Sequence, residues 1–196
     1  MKIGVLALQG AFREHIAVLK GLGTEAIEVR LPEQLADLSG LVIPGGESTT
    51  ISKLMQHYRL VEPLRELARK GTPILGTCAG LIVLAKHLVT NNFETLGLMD
   101  ITVARNAFGR QVESFEAEIE VPALGKAPFR AVFIRAPIIE KVAPGVEVLA
   151  KLENDTIVAA RQGKVVVTAF HPELAGDTRF HRYFLDIVGG AKAKMR

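Results

Sequence analysis

A single cysteine, Cys78, lies within Pro73-Ile74-Leu75-Gly76-Thr77-Cys78-Ala79-Gly80-Leu81-Ile82-Val83-Leu84-Ala85. A short apolar run meets a Gly-x-Cys-x-Gly corner, and a helix-forming run follows. This is the strand–nucleophile–helix pattern of a nucleophile elbow, with sulfur in place of the more familiar serine oxygen. A nucleophile on so sharp a turn occupies strained backbone, and flanking glycines avoid clashes with the adjoining strand and helix. The helix begins at the sulfur, so its positive end favours thiolate. A lone cysteine is more often a small buried hydrophobe, but the paired glycines and the abrupt change of period favour the nucleophile.

Two further clusters follow probable strands. Pro44-Gly45-Gly46-Glu47-Ser48-Thr49 offers adjacent glycines whose bare N–H groups suit an oxyanion hole. Alone it would pass for a glycine-rich turn in which Ser48 or Thr49 caps the next helix. His171-Pro172-Glu173 places an imidazole and a carboxylate two residues apart. On extended backbone these would point the same way, and Pro172 disfavours helix at His171. Histidine can take the thiol proton, and the carboxylate can orient and charge-stabilise the ring. By itself this triplet could be a surface turn. With the elbow and the Gly-Gly turn it forms a nucleophile–base–orienter set suited to acyl transfer.

The elements that must carry these clusters alternate. Ile3–Leu8, Ala26–Arg30, Leu41–Pro44 and Pro73–Gly76 have the composition of buried strands. Between them, helices are expected over Phe12–Leu22, Thr50–His57 and Val61–Lys70, with another over Ala79–His87. Such alternation predicts an α/β fold in three layers: a mostly parallel central sheet with helices on both faces. The second half is richer in strands: Asp100–Ala104, Glu116–Val121, Ala131–Ile134, Val146–Leu152, Thr156–Arg161 and Lys164–Ala169. Some of these are expected to form a small antiparallel β extension, and the last to return to the main sheet. Thr178–Val188 is the expected closing helix. In a parallel sheet, ligands bind along the carboxyl rim of the strands, which is where all three clusters fall.

Composition narrows the options. The chain of 196 residues is 48% apolar, enough for a sizeable core. We expect one domain over residues 1–189 and a flexible tail over 190–196. One cysteine rules out an internal disulfide framework and a cysteine zinc cluster, and fits a cytoplasmic setting. The start, Met1-Lys2-Ile3-Gly4-Val5-Leu6, is not a signal-peptide pattern, and no apolar run is long enough to span a membrane. The pI of 9.1 hints at nucleic acid. However, setting aside Lys192, Lys194 and Arg196 leaves 21 basic against 21 acidic residues. The formally neutral body has no footprint for a polyanion.

On these motifs the sequence resembles the class I (triad) glutamine amidotransferases, and within them the branch that serves as glutaminase subunit of pyridoxal 5′-phosphate synthase. The resemblance runs along nearly the whole chain. It is carried by Gly4–Gly10, Pro44–Thr50, Gly76–Gly80, Arg105–Glu116, Phe133–Pro137 and Phe170–Leu174. No motif position departs from the pattern. The elbow and His-x-Glu mark the superfamily, whereas Gly-Gly-Glu-Ser-Thr and Arg-Asn-x-Phe-Gly-Arg-Gln are specific to the vitamin B6 branch. The resemblance implies a catalytic triad of Cys78, His171 and Glu173, and glutamine contacts at Gly46, Glu47, Ser48, Arg105, Ile134 and Arg135. The guanidinium forks of Arg105 and Arg135 suit carboxylate or polar groups, although their roles rest mainly on the resemblance.

The expected reaction is hydrolysis of L-glutamine to L-glutamate and ammonia. Gly46 and, by the logic of the elbow, Ala79 supply the oxyanion N–H groups. No metal or organic cofactor is required. The implied partner is the pyridoxal 5′-phosphate synthase subunit, which accepts the ammonia within a hetero-oligomer. Nucleic acid and membrane are not expected partners. Gln9 and Gly10 end the first strand on the same rim and form a candidate turn gated by the partner. Rival readings are a Cys-elbow protease or deglycase, an amidotransferase serving another acceptor, and a non-catalytic regulatory subunit. His15, His57, His87 and His181 are given no role.

Overall fold

The computed structural model describes residues 1–90, 93–105 and 114–190. All of the expected tail over 190–196 except Gly190, and most of the Arg105–Glu116 motif, therefore lie outside the described residues. The first half winds as β1 (Lys2–Leu6), α1 (Phe12–Gly21), β2 (Glu25–Val29), β3 (Gly40–Ile43), α2 (Ser48–His57), α3 (Val61–Arg69), β4 (Ile74–Thr77) and α4 (Ala79–Leu84). Strands β2, β1, β3 and β4 pair in parallel in that order. Val5, Val42, Ile43, Ile74 and Leu75 are buried. This is the near-continuous apolar composition that helices on both faces demand.

The second half contributes β5 (Ala85–Leu88), β6 (Met99–Ala104), β7 (Ser114–Ile119), β8 (Phe129–Ile134), β9 (Ile138–Val142), β10 (Glu147–Lys151), β11 (Ile157–Gln162), β12 (Val165–Thr168) and α5 (Arg179–Val188). As expected, β12 returns to the main sheet, pairing in parallel with β4 from Val165↔Ile74 to Thr168↔Thr77. That register sets the end of β12 beside the end of β4, so the chain after Thr168 runs next to Cys78. From β12 the sheet continues antiparallel through β11, β9 and β6. Parallel β5 closes the order β2-β1-β3-β4-β12-β11-β9-β6-β5, and β10 pairs with β11. The small antiparallel pair β7–β8 forms a separate two-stranded sheet.

Three expectations need correcting. The helix after the elbow ends at Leu84, not His87. Ala85 turns extended, and the chain pairs with β6 from Ala85↔Met99. The uninterrupted apolar run through Ala85 carries no periodicity that would mark this end. Strand β9 was not expected. The next helix, α2, begins at Ser48, two residues before the expected start, because Glu47 rather than Ser48 or Thr49 is its cap.

Candidate active site

Cys78 sits between β4 and α4 with φ 50° and ψ −102°. A non-glycine residue in this region is strained, and such outliers persist only where the surroundings over-determine them. Here the Cys78 N–H donates to Thr168 O at 2.8 Å, anchoring the corner to β12. The flanking glycines are needed for close approach. A Cβ at Gly80 would collide with Ile43 O of the neighbouring strand, and one at Gly76 with Leu84 and the Gly80 backbone. The sulfur lies 3.7 Å from Ile134 O at the end of β8. Ala79 opens α4, so its N–H belongs to the first helical turn, whose donors have no intrahelical partner.

His171 is held from two sides. It follows β12, and its N–H donates to Val132 O of β8 at 2.8 Å. The backbone does not stay extended after it: Pro172–Leu174 forms a short 3₁₀ turn. That turn, rather than strand alternation, swings Glu173 back under the ring, with Glu173 Oε1 at 2.6 Å from His171 Nδ1. Burial opposes charge on His171. Hydrogen bonds to Cys78 and Glu173 outweigh it and hold the imidazolium form well above the ordinary histidine range. Burial likewise works to raise the Glu173 carboxyl, but neighbouring His15 and His171 bring it below its usual value. The arrangement is a cysteine–histidine pair backed by a carboxylate, able to attack an acyl carbon and then protonate a leaving amine.

The Gly-Gly turn packs directly on this pair. A Cβ at Gly45 would collide with His171 Cε1 and come within 3.2 Å of Cys78 Cβ. Gly45 N–H donates to Thr77 Oγ1 at 3.0 Å. The loop after β1 seats on the other side of the turn. Ala11 N–H donates to Gly45 O at 3.0 Å, and Glu47 N–H donates to Gln9 Oε1 at 2.7 Å. Gly10 has φ 95°, and a Cβ there would strike Gly45 O. Gln9 and Gly10 thus share the rim with Gly46.

The residues implied as glutamine contacts are placed unequally. The Glu47 carboxylate accepts Thr49 N–H at 3.2 Å and Thr50 N–H at 2.7 Å, and also takes both threonine hydroxyls. Slight burial opposes these donors, which together hold its pKa down at about 2. Arg105 Nη2 stands 3.5 Å from the same carboxylate, and its guanidinium lies over Phe93 at 5.3 Å. Ser48 is buried as the first residue of α2. Ile134 ends β8 beside the sulfur, and exposed Arg135 follows with φ 44°, a second strained corner on the rim.

Sequence reasoning passed over His15 and His181, both fully buried directly behind Glu173. His15 Nε2 is 3.2 Å from Glu173 Oε2 and 3.1 Å from Thr77 Oγ1, and His15 Nδ1 is 3.0 Å from His181 Nε2. A signal existed. His15 falls on the apolar stripe Phe12, Ile16, Leu19 of α1, and His181 on the stripe of Phe184 and Val188 in α5. A histidine at a core-facing helical position needs a buried partner.

Comparison with known proteins adds four matches. The model of the SNO glutamine amidotransferase family matches residues 5–189. A protein of Dehalococcoides mccartyi named pyridoxal 5′-phosphate synthase subunit PdxT is 60% identical over 195 residues, covering 98% of this chain and all of that protein. The protein of the same name from Pelotomaculum thermopropionicum is 61% identical over 186 residues, covering 95% of this chain and 94% of that one. A crystal structure described as a glutamine amidotransferase superposes with a TM-score of 0.90 at 52% identity, covering 95% of this chain and 98% of the other.

Proposed function

The chain belongs to the SNO glutamine amidotransferase family, and from that premise we propose a reaction carried by named residues of the site. It is a glutaminase that hydrolyses L-glutamine to L-glutamate and ammonia for pyridoxal 5′-phosphate synthesis. Cys78 Sγ attacks the side-chain carboxamide carbon. The carbonyl oxygen becomes an oxyanion facing the N–H groups of Gly46 and Ala79. His171 gives its proton to the departing nitrogen, releasing ammonia and leaving a glutamyl thioester on Cys78. It then takes a proton from water, the hydroxide displaces the sulfur, and glutamate leaves. Glu173 holds the ring in the orientation both steps need.

One observation carries this assignment: a strained Cys78 corner paired with a histidine whose far nitrogen is 2.6 Å from Glu173. Around it, Gly46, Ser48, Arg105, Ile134 and Arg135 form the glutamine subsite. Glu47 contributes chiefly as the cap that shapes this rim, since its carboxylate is already engaged by Thr49 and Thr50. The family match over 5–189 supports a single glutaminase unit along 1–189. An unbridged catalytic thiol suits a reducing cytoplasm.

The partner is a synthase subunit that takes the ammonia, joined with this chain in a hetero-oligomer. Two large apolar side chains support docking beside the triad: Ile134, 39% exposed, and Leu174, 44% exposed. The turn Gln9–Gly10 is the gate. Through Gln9 and the following Ala11 it is bonded to the Gly45–Glu47 turn, so a partner that moves it moves Gly46 with it, shifting the population toward a complete oxyanion hole. The test is turnover at saturating glutamine with and without stoichiometric synthase subunit, alongside trapping of Cys78 by a glutamine-like electrophile. We expect labelling at Cys78 and faster turnover in the complex. Labelling elsewhere would overturn the nucleophile, and equal turnover in both conditions would overturn the gate.

A further inference from the structure

Behind the triad lies a buried chain of imidazoles that the reaction as described does not use. Glu173 has two carboxylate oxygens. Oε1 is taken by His171. Oε2 is buried without a hydrogen-bond partner among the described residues, and His15 Nε2, whose hydrogen bond is to Thr77, stands 3.2 Å from it. A carboxylate oxygen in a dry interior requires a donor, because an unmatched lone pair there costs about 1–3 kcal/mol and more for a charged group. His15 Nε2 also lies 3.1 Å from Thr77 Oγ1, the hydroxyl that receives the Gly45 N–H. His15 thus stands at the junction of the orienting carboxylate, the residue before the nucleophile and the Gly-Gly turn.

The tautomer follows from counting donors. Suppose His15 carries its proton on Nδ1. It then donates to His181 Nε2 and aims a bare Nε2 lone pair at the Glu173 carboxylate. His181 must carry its own proton on Nδ1, which has no partner among the described residues. That arrangement sets two negative lone pairs face to face and buries an unmatched N–H. Suppose instead that both rings carry the proton on Nε2. His181 Nε2–H then donates to His15 Nδ1, and His15 Nε2–H faces Glu173 and Thr77. Thr77 Oγ1 then receives both the His15 and the Gly45 N–H, and what is left over is its rotatable O–H and the weakly demanding bare Nδ1 of His181, with no lone pair facing the carboxylate. Burial holds both rings neutral: it lowers His15 despite Glu173 and Glu14, with His171 adding to the effect, and it lowers His181 to about 3.

We propose that His15 is a positioning residue for glutamine hydrolysis, a neutral Nε2–H donor that fixes the Glu173 carboxylate on His171, with His181 setting its tautomer. The inference rests on Glu173 being the orienter in the reaction above. It gives α1 and α5 a part in the chemistry, because each delivers one ring to the back of the site.

The test has two readouts. The first is ¹⁵N NMR of the imidazoles in the intact chain. We expect His15 as the neutral Nε2–H tautomer from about pH 5.5 to 8.5, a window spanning the usual histidine titration. An imidazolium or an Nδ1–H tautomer at neutral pH would overturn the proposal. The second is kinetics in the complex with the synthase subunit. His15→Leu should lower kcat about 10- to 100-fold with KM changed less than about 3-fold, as expected when a reacting group is misplaced. His15→Gln, which keeps an N–H on a comparable reach, should recover part of that loss. In a Glu173→Gln background, His15→Leu should cost less than about 3-fold more, because coupled residues are non-additive. Fully additive losses would show that His15 does not act through Glu173, and would leave the Glu173 assignment standing. If His15→Leu does not fold, the NMR result decides alone.

Discussion

At the scale of single residues, the sulfur of Cys78 is the atom on which the reaction depends. Cys78→Ser keeps the side-chain volume and the φ 50° corner, so the chain should fold. Turnover should vanish, since the hydroxyl lacks the thiol's readily reached anionic form. A glutaminase assay alongside a thermal melt separates the two, and residual turnover above background would refute the assignment. His171→Asn should lose nearly as much, as the two act as a unit. Glu173→Gln should lose less, because it orients rather than reacts. Full activity of Glu173→Gln at saturating glutamine would remove it from the triad. Hydrogen bonding to Cys78 and Glu173 raises His171. Acid removes the proton acceptor that the nucleophile needs, and kcat/KM should fall on that side. A profile flat from about pH 5 to 9 would contradict the pair. The triad was legible because a corner and a triplet are local patterns. His15 and His181 were not, because what makes them matter is a carboxylate more than a hundred and fifty residues from His15 and only eight from His181, joined to them by packing.

At the scale of elements, the rim depends on how α2 and the Gly-Gly turn begin. Glu47→Ala removes the acceptor of four donors and should destabilise the chain by about 1 kcal/mol, the usual loss for a helix cap. Chemical denaturation measures it, and no loss would mean the cap is replaced by water. The same change frees Arg105, so KM for glutamine should move more than kcat. Gly45→Ala makes the opposite test. Its Cβ would collide with the His171 ring, and displacing a reacting group by about 1 Å can lose about 10²-fold in rate. We expect that fall in kcat with α2 intact, and near-normal kcat would mean that the turn is not seated on the ring in solution. The cap was misread from sequence because serine and threonine are the commoner caps. Here the first helical residues are themselves the donors, and the acidic residue before them supplies the acceptor. The end of α4 was misread for a different reason. Its six residues are all buried, so no polar face marked where helix gives way to β5.

At the scale of the whole molecule, the parallel half was readable because each strand and helix announces itself by period. The antiparallel half was less so: β9 meets β11 at a single residue pair, Ile157↔Ile139, and such pairing is not written in local composition. The same long-range assembly gives the fold a pH dependence with two signs. His15 and His181 are held neutral by burial, so their folded pKa values lie below the ordinary histidine value of 6.5. Their contribution to stability is present above that value and is lost as pH falls below it, because unfolding then takes up protons. His171 runs the other way. Its pKa is raised to about 10, so its contribution is present below 6.5 and is lost as pH rises toward 10. Stability should therefore peak near neutrality and decline on both sides. His181, lowered to about 3, adds about 1.4 kcal/mol per pH unit to the slope on the acid side, one proton's worth. Glu173 and Glu47 join only below their ordinary range near 4.5, since both are lowered in the fold. The window from 6.5 to 4.5 accordingly belongs to His181, whose pKa is lowered to about 3, with His15 acting in the same direction. His181→Phe keeps an aromatic ring beside Phe180 and Phe184 and removes one titrating group. In urea melts at pH 6 and pH 5, the substituted chain should lose stability less steeply than the parent by about that amount. An unchanged slope would mean that His181 is already charged in the folded chain, against the effect of its burial beside His15.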